Sequence, residues 1–201
     1  MCDDRKVDLP NELSQKDDMA LKSTIFKAEL QISDMDRNSY GDHSLTIARH
    51  PSENDERMMV RILAFALHAH EALVFADSIA NDDEPSLWQK DLTGAIQVWI
   101  DVGQPDEKRI RKACGRAARV FIFTYGGHGN DVWLNQIKSS LERLRNLSVI
   151  NLPASAPAAL ARLAQRSMKL QFTIQDGQVW VANDQATVHL DLTNAVVLSP
   201  S

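Results

Sequence analysis

Cysteine is nearly absent from this chain: Cys2 and Cys114 are the only two in 201 residues. They give no disulfide framework and no metal-ligand spacing, which sets aside both the stapled secreted domains and the zinc-built ones. No apolar run approaches the roughly 18 to 20 residues that span a bilayer, so no membrane role is expected. The opening MCDDRKVDLPNELSQKDD is polar and acidic, unlike a secretory leader. A cytoplasmic location is the expectation. Internal repeats and low-complexity tracts are also missing.

Familiar catalytic signatures fail one by one. GGHGN, at 126–130, lacks the Lys and Ser or Thr of a phosphate-binding loop and does not match a dinucleotide fingerprint. Ser44, Ser52 and Ser148 sit in no nucleophile elbow. His68 and His70 are two apart on a helical stretch and point different ways, so they cannot share a metal as an i, i+4 pair would. Cys114 falls near the buried side of its helix and reads as inert. The tryptophans Trp88, Trp99, Trp133 and Trp180 read as packing residues.

What remains is an ordinary globular composition, 44% hydrophobic and 24% charged. Residues 1–18 lack apolar periodicity and are expected to be a disordered tail, and 19–201 to be a single domain. Met19, directly before the regular pattern, is as good a start as Met1. The net charge of -5 argues against a dedicated non-specific nucleic-acid binder. Residues 1–18, however, hold six acids and three bases, so the folded body is nearly balanced. The placement of its cations then matters more than their number.

Alternation in LKSTIFKAELQIS puts Phe26, Ala28, Leu30 and Ile32 on one face, and with HSLTIA it predicts a hairpin. HPSENDERMMVRILAFALHAH predicts the clearest helix, capped at Ser52, with Arg57 and Arg61 opposite its buried stripe. LVFADSI is a short strand and NDDEPSLWQKDLTGA a loop. AIQVWIDV is a strand with Gln97, Trp99 and Asp101 on one face. Pro105 opens the next helix, and VFIFTY is a central strand. GGHGN reads as a flexible loop. Helix DVWLNQIKSSLERLRN, strand LSVINL, helix APAALARLAQRS and strands KLQFTI, QVWVA and ATVHLDL follow, with a tight turn at Asp176-Gly177. The fold class is mixed α/β (α+β), one mixed sheet flanked by helices.

Three carboxylate positions and one helix stand out. Glu56 falls within the inward arc of its helix and needs a partner or a wet cleft. Asp101 closes its strand before a helix N-terminus. It either shapes the Gly103-Gln104-Pro105 turn or binds a hard cation where sites gather beyond strand carboxyl ends. The run Asp82-Asp83-Glu84-Pro85 offers a second acid. After it, Lys108, Arg109, Lys112, Arg116 and Arg119 crowd one side of a helix, either as a solvated face or as a track for a phosphate backbone.

Taken together, TIARHPSENDERMMVRILAFAL, DDEPSLW, VWIDVGQPDEKRIRKA, MALKSTIFKAELQISDMDRN and TIQDGQVW resemble the bacterial YaeQ family over about residues 19–195. The resemblance implies a variant of the PD-(D/E)XK nuclease-like (restriction-endonuclease-like) fold, with a core ordered αβββαβ. On that reading Glu56 matches the first-helix acid, Asp83 the first-motif acid and Asp101 the second. Gly103 stands where that motif usually has Lys, and Gln104, Lys108 or Lys112 would compensate. The implied activity is Mg²⁺-dependent phosphodiester hydrolysis, with the metal on Asp83, Asp101 and Glu56. The alternative is a non-catalytic, transcription-related module binding nucleic acid or protein through the basic helix.

Overall fold

The computed structural model describes residues 23–76, 84–141 and 143–199. Strands β1 (Thr24–Asp34) and β2 (Ser39–Arg49) form the expected hairpin, Thr24 facing Arg49 and Asp34 facing Ser39. β1 buries Phe26, Ala28, Leu30 and Ile32, as its alternation predicts. On its other side lies β8 (Ser167–Gln175), parallel to it, followed by β9 (Gln178–Ala182) and β10 (Thr187–Asp191). This sheet has five strands in the order β10-β9-β8-β1-β2. Asp176 and Gly177, both at positive φ (53° and 73°), make the tight β8–β9 turn.

A second sheet has six strands, in the order β11-β7-β6-β5-β4-β3. Its members are β3 (Leu73–Phe75), β4 (Leu87–Lys90), β5 (Ile96–Val102), β6 (Ala117–Thr124), β7 (Leu147–Asn151) and β11 (Val196–Leu198). β5, β6 and β7 run parallel; the other pairings are antiparallel. The helices are α1 (Asp55–Leu67), α2 (Glu107–Arg116), α3 (Gly127–Leu141) and α4 (Ala156–Ala161).

Two mixed sheets thus replace the single sheet expected, and α1 shows why. Every residue from Met58 to Ala66 is buried, including Arg61. A helix apolar nearly all round needs a cover on each side. α1 and α4 lie between the sheets, against Leu30 and Phe172 of one and Val98, Ile100 and Val102 of the other. The far face of the six-stranded sheet packs Trp99, Val120 and Val149 beneath Ile110 of α2 and Ile137 and Leu141 of α3. The layers run sheet, helices, sheet, helices.

Three local expectations are corrected. LWQK, read as loop, is β4, with Trp88 opposite Trp99; four residues are too few for a period to register. GGHGN, also read as loop, supplies the first turn of α3. The cap of α1 is Asn54, whose Oδ1 accepts from the Arg57 amide at 2.9 Å; Ser52 instead bonds the His50 ring.

At the end of α1, His68 is wedged against Phe121 and Phe123, ring centroids 4.1 and 5.8 Å away. Burial, then the charges of Arg37 and Arg119, hold its imidazole down from 6.5 to about 3. Its folded value lies below its unfolded one, so the stability it contributes is complete above pH 6.5 and is lost as pH falls toward 3. The slope is at most about 1.4 kcal/mol per pH unit. Urea unfolding from pH 7 to pH 4.5 should show a shallower decline for His68→Phe than for the wild type; equal slopes would remove this assignment.

Candidate functional site

The carboxyl ends of the parallel strands β5, β6 and β7 form a crest, the place where open α/β sheets collect ligands. β5 ends at Val102, and Gly103 takes a φ of +112° that only glycine adopts without strain. Its amide donates to the Phe123 carbonyl at 2.9 Å. Asp106 then caps α2 through the Arg109 amide at 2.7 Å.

Asp101 is 4% exposed, and both its oxygens already accept hydrogen bonds. Arg109 reaches it from α2 as a fork, Nη2 at 2.8 Å from Oδ1 and Nε at 3.0 Å from Oδ2. The Trp99 indole donates to Oδ2 at 2.9 Å. Arg109 Nη2 also donates to the Glu84 carbonyl at 2.7 Å, fastening the segment that leads into β4. Asp101 therefore ties strand, helix and incoming chain together, with Arg109 as its positive partner.

Glu56, half-buried at the start of α1, lies on the other side of β5. Val98, Ile100 and Val102 face α1, whereas Trp99 packs beneath α2, and strand alternation puts Asp101 on the Trp99 side. Glu56 and Asp101 thus start from opposite faces of β5. Asp83 lies outside the described residues. Among the described residues, no three His, Cys, Asp or Glu side chains are grouped so as to hold a metal.

Gln104 is exposed and donates to Asn130 Oδ1 at 3.2 Å. Buried Asn130, in the first turn of α3, donates to Asn151 Oδ1 at 2.7 Å and Thr124 Oγ1 at 3.3 Å. These three amides knit the ends of β5, β6 and β7 together, beside a hollow of about 400 Å³ bordered by Asp131, Asp191 and Asn194. Gln97, on the same face of β5 as Asp101, sits at the opposite end of the strand and donates to Asp91 Oδ2 at 2.7 Å.

The cations of the basic segment divide. Arg109 turns inward. Lys108, Lys112 and Arg116 are exposed on α2, and Arg119, expected on the helix, is exposed on β6. The Arg116 guanidinium lies 5.6 Å from the Trp99 ring, and Lys90 Nζ sits 3.4 Å over Trp88, which meets Trp99 edge to face. The cationic surface thus extends from α2 onto β4. Cys114 of α2 is as inert as expected: burial pushes its thiol up to about 11.

Sequence reasoning missed a buried ion pair. Glu53, 5% exposed, accepts from Arg61 Nη2 at 2.6 Å, and Arg61, 0% exposed, also donates to the Ala48 carbonyl at 3.3 Å. Arg57 Nε stands 3.7 Å from Glu53 Oε1, and Arg49 pairs with Asp55. The spacing Glu53, Arg57, Arg61 is an i, i+4, i+8 ladder, and that was the available signal. Burial pushes the Glu53 carboxyl above its usual range, against the opposing pull of Arg61, Arg57 and Arg49. Tyr125, just past β6, borders the same group; burial raises its phenol, Arg57 lowers it, and Glu56 and Glu53 raise it.

Comparison with known proteins agrees with this architecture. The model of the family described as YaeQ protein matches residues 19–192. "Uncharacterized protein YaeQ" of Escherichia coli (strain K12) is 45% identical over 175 residues, covering 87% of this chain and 97% of that one. The crystal structure of YaeQ protein from Xanthomonas axonopodis pv. citri superposes with a TM-score of 0.85 at 49% identity, covering 89% of this chain and 99% of that one. The Pseudomonas syringae YaeQ structure gives 0.83 at 35% identity, with coverages of 88% and 97%. The chain belongs to the YaeQ family.

Proposed function

We propose that this protein is a non-catalytic nucleic-acid-binding module on a nuclease-like scaffold, with α2 and the adjoining β4–β6 surface facing the phosphates. The carrying observation is the Asp101–Arg109 fork. It neutralises the acid that a nuclease would keep open for metal, while Lys108, Lys112, Arg116 and Arg119 reach solvent on the outer side. The element order α1-β3-β4-β5-α2-β6 supports the scaffold, because it repeats the αβββαβ order of PD-(D/E)XK cores. Gly103 leaves that motif without its lysine.

Mg²⁺-dependent hydrolysis on Asp83, Asp101 and Glu56 would require Arg109 to release Asp101, since a hard cation needs free carboxylate lone pairs. Binding needs no such rearrangement. Each phosphate neutralised contributes about 0.9 to the fall of log affinity with log salt on a duplex, so four cations give a slope of about -3 to -4. Fluorescence anisotropy with a short labelled duplex should show that slope. Lys108→Gln, Lys112→Gln and Arg119→Gln should each reduce it by about one. Absence of binding at low salt, or capture of an acidic protein without nucleic acid, would sink this reading. Cleavage of the duplex with Mg²⁺ would restore the enzyme in its place.

A further inference from the structure

We infer that the open edge of β2 takes up an extended segment of another protein as an added strand, one in which apolar residues alternate with lysine or arginine. Of the strands that end the two sheets, β3 and β11 have three residues and β10 five. β2 has 11 and contains no proline or lysine. It pairs with β1 from Thr24 opposite Arg49 to Asp34 opposite Ser39 without a register shift. Soluble proteins blunt long edges with charges, proline or bulges, or cover them, because a row of unpaired N–H and C=O groups recruits another strand. Among the described residues, no strand pairs with the far side of β2.

A hollow of about 480 Å³ runs along that edge, within the range of about 300 to 1,000 Å³ usual for ligand pockets. Residues 42–46 of β2 border it consecutively, so both faces of the strand, and therefore its edge, bound the space. The opposite wall is β3, with His70 and Glu71 just before it. Phe65 of α1 lies between the walls. It meets the His43 ring edge to face at 5.2 Å and stacks on Phe75 at 5.9 Å. The two sheet edges thus part around an aromatic floor.

Pairing dictates the side chains of the occupant. In β2, His43 and Leu45 turn toward α1, opposite buried Leu30 and Ala28 of β1, while Asp42, Ser44 and Thr46 are exposed on the other face. An added strand repeats that alternation, so its inward residues meet His43, Leu45 and Phe75 and are apolar. Charge selects the rest. Asp42 and, across the hollow, Glu71 are exposed, and neither has an ion-pair partner among the described residues. Lysine or arginine on the incoming strand complements both, whereas an acidic strand is repelled. A second copy of this chain fits less well. Its β2 carries Arg49 as its only lysine or arginine, and that side chain already pairs with Asp55. The slot shares no residue with the cationic surface of α2, β4 and β6, so the two readings stand or fall separately.

Fluorescence anisotropy on the full chain at low ionic strength, with a short labelled peptide in which valine and lysine alternate, tests the proposal. Binding should saturate. The same residues in block order cannot present two distinct faces and should bind about tenfold more weakly, as should an alternating valine–glutamate peptide. Asp42→Lys combined with Glu71→Lys should reverse the charge preference, so that the glutamate peptide becomes the tighter ligand. Both positions are exposed, and Tm should stay within a few degrees of the wild type. Hydrogen exchange gives a readout that surface charge alone would not move: outward amides of β2 should slow by about tenfold with the valine–lysine peptide. Equal affinity for block and alternating peptides, an unchanged preference in the charge-reversed variant, or unaltered exchange along β2 overturns the docking site. Protection of the β2 amides that grows with protein concentration before any peptide is added also overturns it, and gives the edge to a second copy.

Discussion

Glu53→Ala should cost about 3 to 5 kcal/mol of stability in urea unfolding. The reason is Arg61. Its guanidinium is wholly buried beside Phe75, and its close ionic partner is Glu53 at 2.6 Å. Removing the carboxylate leaves a cation in the dry layer between two sheets, held only by Ala48 oxygen and distant dipoles. Two further variants check the mechanism. Glu53→Gln keeps an acceptor for Arg61 and should lose less. The pair Glu53→Leu with Arg61→Met removes both charges and should regain most of the stability, because desolvating an ion pair offsets much of its attraction. A loss below about 1 kcal/mol in Glu53→Ala would mean that Arg61 reaches water, contrary to its burial.

That pair also has a pH signature. Burial raises the Glu53 carboxyl above its unfolded value of 4.5. Its contribution is therefore complete below pH 4.5 and is lost as pH rises through the folded value, the reverse of an ordinary surface acid. Glu53→Gln should abolish that decline.

Asp101→Asn should cost about 2 to 3 kcal/mol, with no accompanying loss of metal affinity. The substitution breaks a bidentate contact to Arg109 and weakens the acceptor of the Trp99 indole. The figure sits below that for Glu53 because the Arg109 side chain is 21% exposed and can be rehydrated. Loosening Arg109 should also free the Glu84 carbonyl, so limited proteolysis before β4 should accelerate. Thermal denaturation with Mn²⁺ makes the test two-sided. A ligand that binds the folded chain raises its stability by RT ln(1 + [L]/Kd), so a Tm rise in the wild type that vanishes in Asp101→Asn would reinstate the metal site. An unchanged Tm in both leaves Asp101 a structural anchor.

Much of the architecture was legible because it is written in short periods. The β1 alternation, the Asp176-Gly177 turn and the strands after Asp101 all carry local signals that the folded chain keeps. β4 and β11 were not legible, since strands of four and three residues hold too few positions to alternate. The chemistry was harder still. Lys108 and Lys112 were correctly placed on an exposed helical face, but Arg109, one position along, turned inward to Asp101.

The sequence by itself determined the longer elements, the core face of β1 and the family, because backbone preference and hydrophobic period act over a few residues. Only tertiary structure decided the ionic partners. Arg61 reads as a solvent-facing residue until a second sheet closes over α1, and Asp101 reads as an unpartnered strand-end acid until Arg109 reaches it. Charge pairing depends on distance in space and on how much water is excluded, and neither quantity is encoded in residue spacing along the chain.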